Sequence, residues 1–168
     1  MQQNKVFLTN SKNGVEVWYD SIASHAATHI RDTPNLDALA AEVLTQTVIT
    51  DSYVQLHLDL GRVVGLCDLV ENEPGDEVIY AKRINRDSYS VFNRSKPPQP
   101  SSLVTIAVEL QDDLTYELVS AWIGPSDLPS FPGTERETPA SKPFWQKHSF
   151  AWGNQQVLPE SITSLCPW

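Results

Sequence analysis

The chain has 168 residues, a formal net charge of −9, twelve prolines against seven glycines, and two cysteines. A chain of this length buries enough surface to stand without disulfides and is expected to form a single domain over residues 1–168. Its acidity argues against a protein that coats nucleic acid, which is normally basic, Cys67 and Cys166 have no metal-ligand spacing, and no apolar run nears the roughly 20 residues of a membrane span.

The opening "MQQNKVFLTN" carries no basic-then-apolar leader, and the cysteine usage fits a reduced, cytoplasmic protein. "KVFLTNSKNGVEVW" reads as two short β runs around Asn13-Gly14, a good hairpin turn. "DSIASHAATHIRD" reads as a short helix, with Ile22, His25, Ala26, His29 and Ile30 on one face. Thr33-Pro34 suits an N-cap followed by a first-turn proline. The helix it would start, "NLDALAAEVLTQ", gathers Leu36, Leu39, Ala40, Val43 and Leu44 on one face.

From Val48 the pattern turns to β. The expected strands are "YVQLHLDL", "RVVGLCDLV", "EVIYAKR", "SYSVFN", "LVTIAVEL" and "YELVSAWIG", with "ENEPGD" as a turn. A regular hairpin through "QDDL" would set Thr105 directly opposite Ser120 on one sheet face. A Pro/Ser-rich loop, "PSDLPSFPGTERETPASKP", leads to an aromatic segment, "FWQKHSF", that is expected to dock back on the domain. The architecture expected is α+β: N-terminal helices packed on a mostly antiparallel β-sheet.

One stretch runs against the overall charge. From Lys82 to Lys96, the cations Lys82, Arg83, Arg86, Arg94 and Lys96 face a single acid, Asp87. Either this is a solvated strand end, or guanidinium groups and the nearby hydroxyls of Ser101 and Ser102 converge to hold a phosphate. His25 and His29 stand at i, i+4. "HAATH" has no glutamate beside its first histidine and no obvious third ligand, so no metal is expected there. The pair is either the edge of a buried helix face or an acid–base group bordering a pocket. His57 reads as a surface or filler residue. His148, just after Phe144-Trp145, is either packing or a delivered catalytic group. There is no glycine-rich phosphate loop, no Gly-x-Ser-x-Gly elbow, no recognisable Cys/His spacing and no paired-carboxylate signature.

The order of parts is "THIRDTP", a β segment closing in "AKR", "DSYSVFNRSKPPQPSSLVTIAVEL", "YELVSAWIG", a proline-rich loop and "FWQKH". It resembles the metal-independent ribonucleases grouped with barnase, EndoU and RelE-type toxins, over roughly residues 20–150, and most of all their phage and bacterial toxin-like branches. The resemblance implies helices packed on a four-stranded antiparallel sheet that carries the active site. It implies RNA cleavage by 2′-oxygen attack on the neighbouring phosphate, without metal or cofactor. His29 would be the helix-terminal histidine, Arg83 and Arg94 the cationic positions, Thr105 and Ser120 the strand hydroxyls, and His148 the late histidine. His25, Lys82 and Ser102 are expected to touch the substrate around them. The implied partners are an RNA substrate and an inhibitor or immunity protein, with no membrane. The competing expectation is a non-catalytic domain of the same fold that holds an acidic ligand or protein on its cationic face.

Overall fold

The structure, a computed structural model, describes residues 4–153 and 155–168. In chain order the elements begin β1 (Lys5–Asn10), β2 (Glu16–Asp20), α1 (His25–Asp32), α2 (Leu36–Thr45) and β3 (Tyr53–Asp59). They continue β4 (Gly65–Cys67), β5 (Leu69–Glu71), β6 (Val78–Lys82), β7 (Tyr89–Asn93) and β8 (Gln99–Ser101). The last are β9 (Leu103–Leu110), β10 (Tyr116–Ile123), α3 (Ser141–Lys147), β11 (His148–Ala151) and a 3₁₀ turn at Pro159–Ser161. Where one domain is expected, contacts gather into two compact units. The first takes in the chain up to Gly65 and Pro100–Asp127, and the second Leu66–Gln99 and Leu128–Trp168.

The expected architecture is corrected here. The helices are not N-terminal elements laid on a later sheet. The chain opens with strands, a third helix comes late, and the strands form three sheets, of five, four and two strands. The Asn13-Gly14 hairpin does form, with Gly14 at φ 81°. It belongs to the main sheet because β2 pairs in parallel with β10, Val17 beside Tyr116. The result is a sheet-rich α+β protein.

In the first unit the sheet order is β1-β2-β10-β9-β3, antiparallel except at β2–β10. α1 lies against β10, and α2 against β1 and β9. The α2 face is buried as its spacing predicts: Leu36, Leu39, Ala40, Val43 and Leu44 pack with Val104, Ile106, Val108, Leu118 and Ala121. The helix starts differ from expectation. The Asp20 carboxylate accepts the Ile22 and Ala23 N–H groups, which delays α1 to His25 and leaves Ile22 exposed. Ser24 then caps α1 by accepting the Ala27 N–H at 3.0 Å. Thr33, held extended before Pro34, closes α1 instead of opening α2, whose N-cap is Asn35 in the left-handed region at φ 59°.

In the second unit the sheet order is β5-β11-β7-β6, with β7 and β11 parallel. "RVVGLCDLV" is not one strand but is divided between β4 and β5. "FWQKHSF" folds as the end of α3 and the start of β11, anchored by Trp145, which donates its indole N–H to Pro129 O at 3.0 Å and stacks on Phe131 at 4.2 Å. The free edge of β6 is covered by the segment that follows β11: Leu158 N–H bonds Lys82 O, and Tyr80 and Thr163 exchange both backbone bonds. Among the described residues no helix is long and apolar enough to cross a membrane.

Burial sets the expected response to truncation. Ile106 is fully buried at the centre of the first core, so Ile106→Ala should cost about 2–5 kcal/mol. Val63, exposed, should tolerate alanine within about 0.5 kcal/mol. Equilibrium urea denaturation of both variants checks the contrast; equal losses would mean that the core is misplaced.

Candidate functional site

The second unit's sheet brings the cationic candidates and the late histidine onto one face. Side chains alternate along strands, so Glu77, Ile79, Ala81 and Arg83 share a face of the β6 segment. Phe92 pairs with Ile79 on one side and Phe150 on the other. That register puts Phe92 and Arg94 on the same face, with His148, Phe150 and Trp152 beside them. Arg83 lays its guanidinium 5.0 Å from the Phe150 ring centre and 5.7 Å from that of Phe92. Arg94 sits 5.0 Å over Trp152, which meets Phe92 edge-on at 5.4 Å. Two arginines thus bracket an aromatic row, an arrangement in which cation–π attraction holds each guanidinium flat.

The two arginines differ in what they already hold. Arg94 is paired with Glu77 at 3.1 Å. The Arg83 Nε is buried and has no hydrogen-bond partner among the described residues. Desolvation pulls the Arg83 pKa down, Arg86 adds to that, and Asp68 opposes it. A buried guanidinium N–H without an acceptor is costly, and an anion would relieve it. His148 caps α3, with Nδ1 3.0 Å from Phe144 O and its ring stacked on Phe144 at 4.2 Å. A carbonyl oxygen only accepts, so Nδ1 donates and Nε2 is the ring's other nitrogen. Arg83 lies at the Phe150 side of the face and Arg94 at the Trp152 side.

Lys96 and Lys82 are already engaged, while Arg86 is exposed. Lys96 donates to Glu71 O at 2.6 Å and lies 3.4 Å from Glu73 and 3.5 Å from Asp76, all in the "ENEPGD" turn. The loop is fixed by Asn93, fully buried, whose amide donates to Asn72 and Asp76 and whose oxygen accepts the Ser95 and Lys96 N–H groups. Lys82 points to the other face of β6, 5.3 Å from the Tyr89 ring centre.

The remaining candidates, His25, His29, Ser102, Thr105 and Ser120, belong to the first unit. The register expected there is corrected. Thr105 pairs with Trp122, and Ser120 pairs with Ala107: the turn already sets Leu110 against Tyr116 rather than Thr115, and a bulge between Leu118 and Ser120 shifts β10 one residue further against β9. Thr105 and Ser120 do share a face, but α1 with His25 and His29 packs against the other one. Nor is Thr105 open to a substrate. It is fully buried and donates to Gly124 O at 2.6 Å. Its neighbours in the cross-strand row act alike: Trp122 donates to Pro125 O at 3.2 Å, and His57 Nδ1 accepts the Ser126 N–H at 3.1 Å. His57, read from sequence as filler, is thus one of three side chains that clasp the loop at 124–126. The Gly61 N–H, then Ser102, hold the Asp59 carboxyl below its ordinary pKa. His25 and His29 meet at their Nε2 atoms, 2.9 Å apart.

Phe92 is fully buried with Ile79 and Ala81 in this unit's core, and Phe150 and Trp152 pack against it at its margin, beside the arginines. The signal for these aromatics was present in "VFNR" and "HSFAW", where aromatic, arginine and histidine side chains recur at every second position.

The clasp makes a direct test of Thr105. Thr105→Val keeps the shape but leaves the Gly124 carbonyl without its donor, so stability should fall by about 1–3 kcal/mol, while Thr105→Ser should lose less. Urea denaturation reads the difference. A stable Thr105→Val protein that had lost an activity would instead restore the hydroxyl to a catalytic role. Asp76 gives a pH test. Hydrogen bonds from Glu73 N–H and then Asn93, aided by Lys96, hold its pKa below the ordinary 3.8. Its stabilisation is therefore complete above the unfolded pKa and is lost as pH falls from there through the lower folded value. Denaturation between pH 6 and pH 2 should show wild type converging on Asp76→Asn in acid and exceeding it near neutrality; parallel curves would remove Asp76 from the network's electrostatics.

The chain matches no protein-family model, no curated protein and no solved structure.

Proposed function

We propose that the protein is a metal-independent endoribonuclease whose active face is the β6–β7–β11 surface of the second unit. The observation that carries this reading is that strand register sets Arg83, Arg94 and His148 on one face of the β6–β7–β11 sheet, with the two arginines against Phe150 and Trp152. In the proposed reaction His148 Nε2 takes the proton of the ribose 2′-hydroxyl. The 2′-oxygen bonds to the adjacent phosphorus, the bond to the 5′-oxygen breaks, and the leaving oxygen is protonated by a general acid or solvent. The products are a 2′,3′-cyclic phosphate and a 5′-hydroxyl. Arg83 stabilises the charge that grows on the phosphorane oxygens, a donor aimed at the transition state. Arg94 and Trp152 offer the neighbouring nucleotide a cation and a stacking surface. A toxin-like or defence role, checked by an inhibitor or immunity protein, belongs to the same proposal.

One feature favours the alternative, a non-catalytic domain that holds an acidic ligand on this face. Arg94 is already paired with Glu77, so an incoming carboxylate could simply exchange for one that is there.

The two readings separate on purified protein with RNA. The nuclease should leave 2′,3′-cyclic phosphate ends, and its activity should persist in EDTA. Arg83→Ala and His148→Ala should each lower kcat by about 10²–10³ while changing RNA affinity less, and Arg83→Lys should recover only part of that loss, since lysine lacks the planar fork. Circular dichroism guards against unfolding of the variants. Protein that binds RNA or another acidic ligand without ever producing a cyclic phosphate end would establish the binder.

A further inference from the structure

The His25–His29 pair lies outside that proposed chemistry, and its geometry points to a ligand that the sequence spacing alone did not license. Both residues stand on α1, one turn apart, with Nε2 atoms 2.9 Å apart and rings nearly perpendicular, at 87°. Two readings are open to such a contact. In one, the pair shares a single N–H···N hydrogen bond. In the other, both lone pairs turn toward a common point outside the helix. Metal–imidazole bonds run to about 2.0–2.1 Å, so two nitrogens at this spacing subtend about 90° at a shared cation. That is the angle between adjacent positions of a square or octahedral site; a tetrahedral pair would need the nitrogens spread to about 3.3–3.4 Å. The measured separation therefore suits tetragonal ions better than tetrahedral zinc.

We propose that His25 and His29 form an open two-histidine chelate for a first-row divalent cation, Cu²⁺ or Ni²⁺ ahead of Zn²⁺, with water in the remaining positions. Among the described residues no group of three or more histidine, cysteine or acidic side chains gathers as a metal site, so the chelate is two-coordinate in protein ligands and exchangeable. The helix holds the pair in place before metal arrives. Ser24 caps it, and Asp20 pins the two residues before Ser24 through their N–H groups. Moving the proton of one ring from Nε2 to Nδ1 frees both lone pairs without changing any charge.

Tag-free protein is titrated with Cu²⁺, Ni²⁺ and Zn²⁺ chlorides by calorimetry, and the copper form is examined by electron paramagnetic resonance. One equivalent should bind, with affinity falling in the order Cu²⁺, Ni²⁺, Zn²⁺, and copper should show a tetragonal spectrum with nitrogen coupling. His25→Ala and His29→Ala should each abolish the tight phase, and His57→Ala should not. Ni²⁺ should raise the Tm of wild type but not of His25→Ala, whose metal-free Tm should match wild type because His25 is exposed. Absence of a tight phase in wild type, or a tight phase that survives loss of either histidine, would leave only the hydrogen-bonded pair. None of these readouts involves RNA, so they stand or fall apart from the proposed cleavage.

Discussion

Asn93 is the residue on which the loops of the second unit depend. Its side chain is fully buried, and its carboxamide makes the hydrogen bonds that a buried amide demands: two donated, to Asn72 and Asp76, and two accepted, from Ser95 and Lys96. The partners come from two separate turns, so one amide ties "ENEPGD" to "NRSK". Ser149, also buried, donates to the same Asn72 oxygen and adds β11 to the knot. Arg94 follows Asn93 directly. With the backbone on both sides of it fixed, its guanidinium has little choice but to lie over Trp152 and against Glu77.

Positive charge gathers in this stretch for two different reasons. Lys96 and Arg94 balance acids that the fold itself brings close. That is structural electrostatics, and it accounts for much of the local cationic excess without any ligand. Arg83 is the exception. It faces aromatic rings rather than a carboxylate, and its buried Nε has no acceptor among the described residues. A chain that is acidic overall can hold such a group ready without attracting polyanions along its whole surface, which keeps any phosphate recognition local.

Local pattern made much of the secondary structure legible. The α2 face could be read from its 3.6-residue spacing, and β3, β6, β7, β9 and β10 from alternation. Pairing could not be read. Nothing in "EVWYD" announces that it lies parallel beside "YELVSAWI", and that single pairing turns the opening hairpin into part of the main sheet. A bulge has no clear mark in sequence either, and the one in β10, added to a turn one residue longer than expected, sets Ser120 beside Ala107, two residues from Thr105. Alternation gives the face on which Thr105 sits but not what covers it, so a hydroxyl that fastens Gly124 looked like one available for chemistry. For the candidate site, composition revealed the cations. Their counter-charges stayed hidden because "ENEPGD" reads as an ordinary turn until Lys96 is seen inside it.

The strand order also bears on how the chain can assemble as it is made. β9 and β10 lie between β2 and β3, so the strands of the first 59 residues have no direct pairing across that gap. They must wait for a hairpin encoded after residue 102, while Leu66–Gln99 has already emerged. The four-stranded sheet waits longer still, because β11 must enter between β5 and β7. Such long-range closure is paid in entropy before it is rewarded in contacts, and it places this protein among slowly folding topologies. Until β11 arrives, β5 and β7 keep unfilled edges, and a nascent chain stalled before residue 148 would present both to any neighbour able to donate a strand.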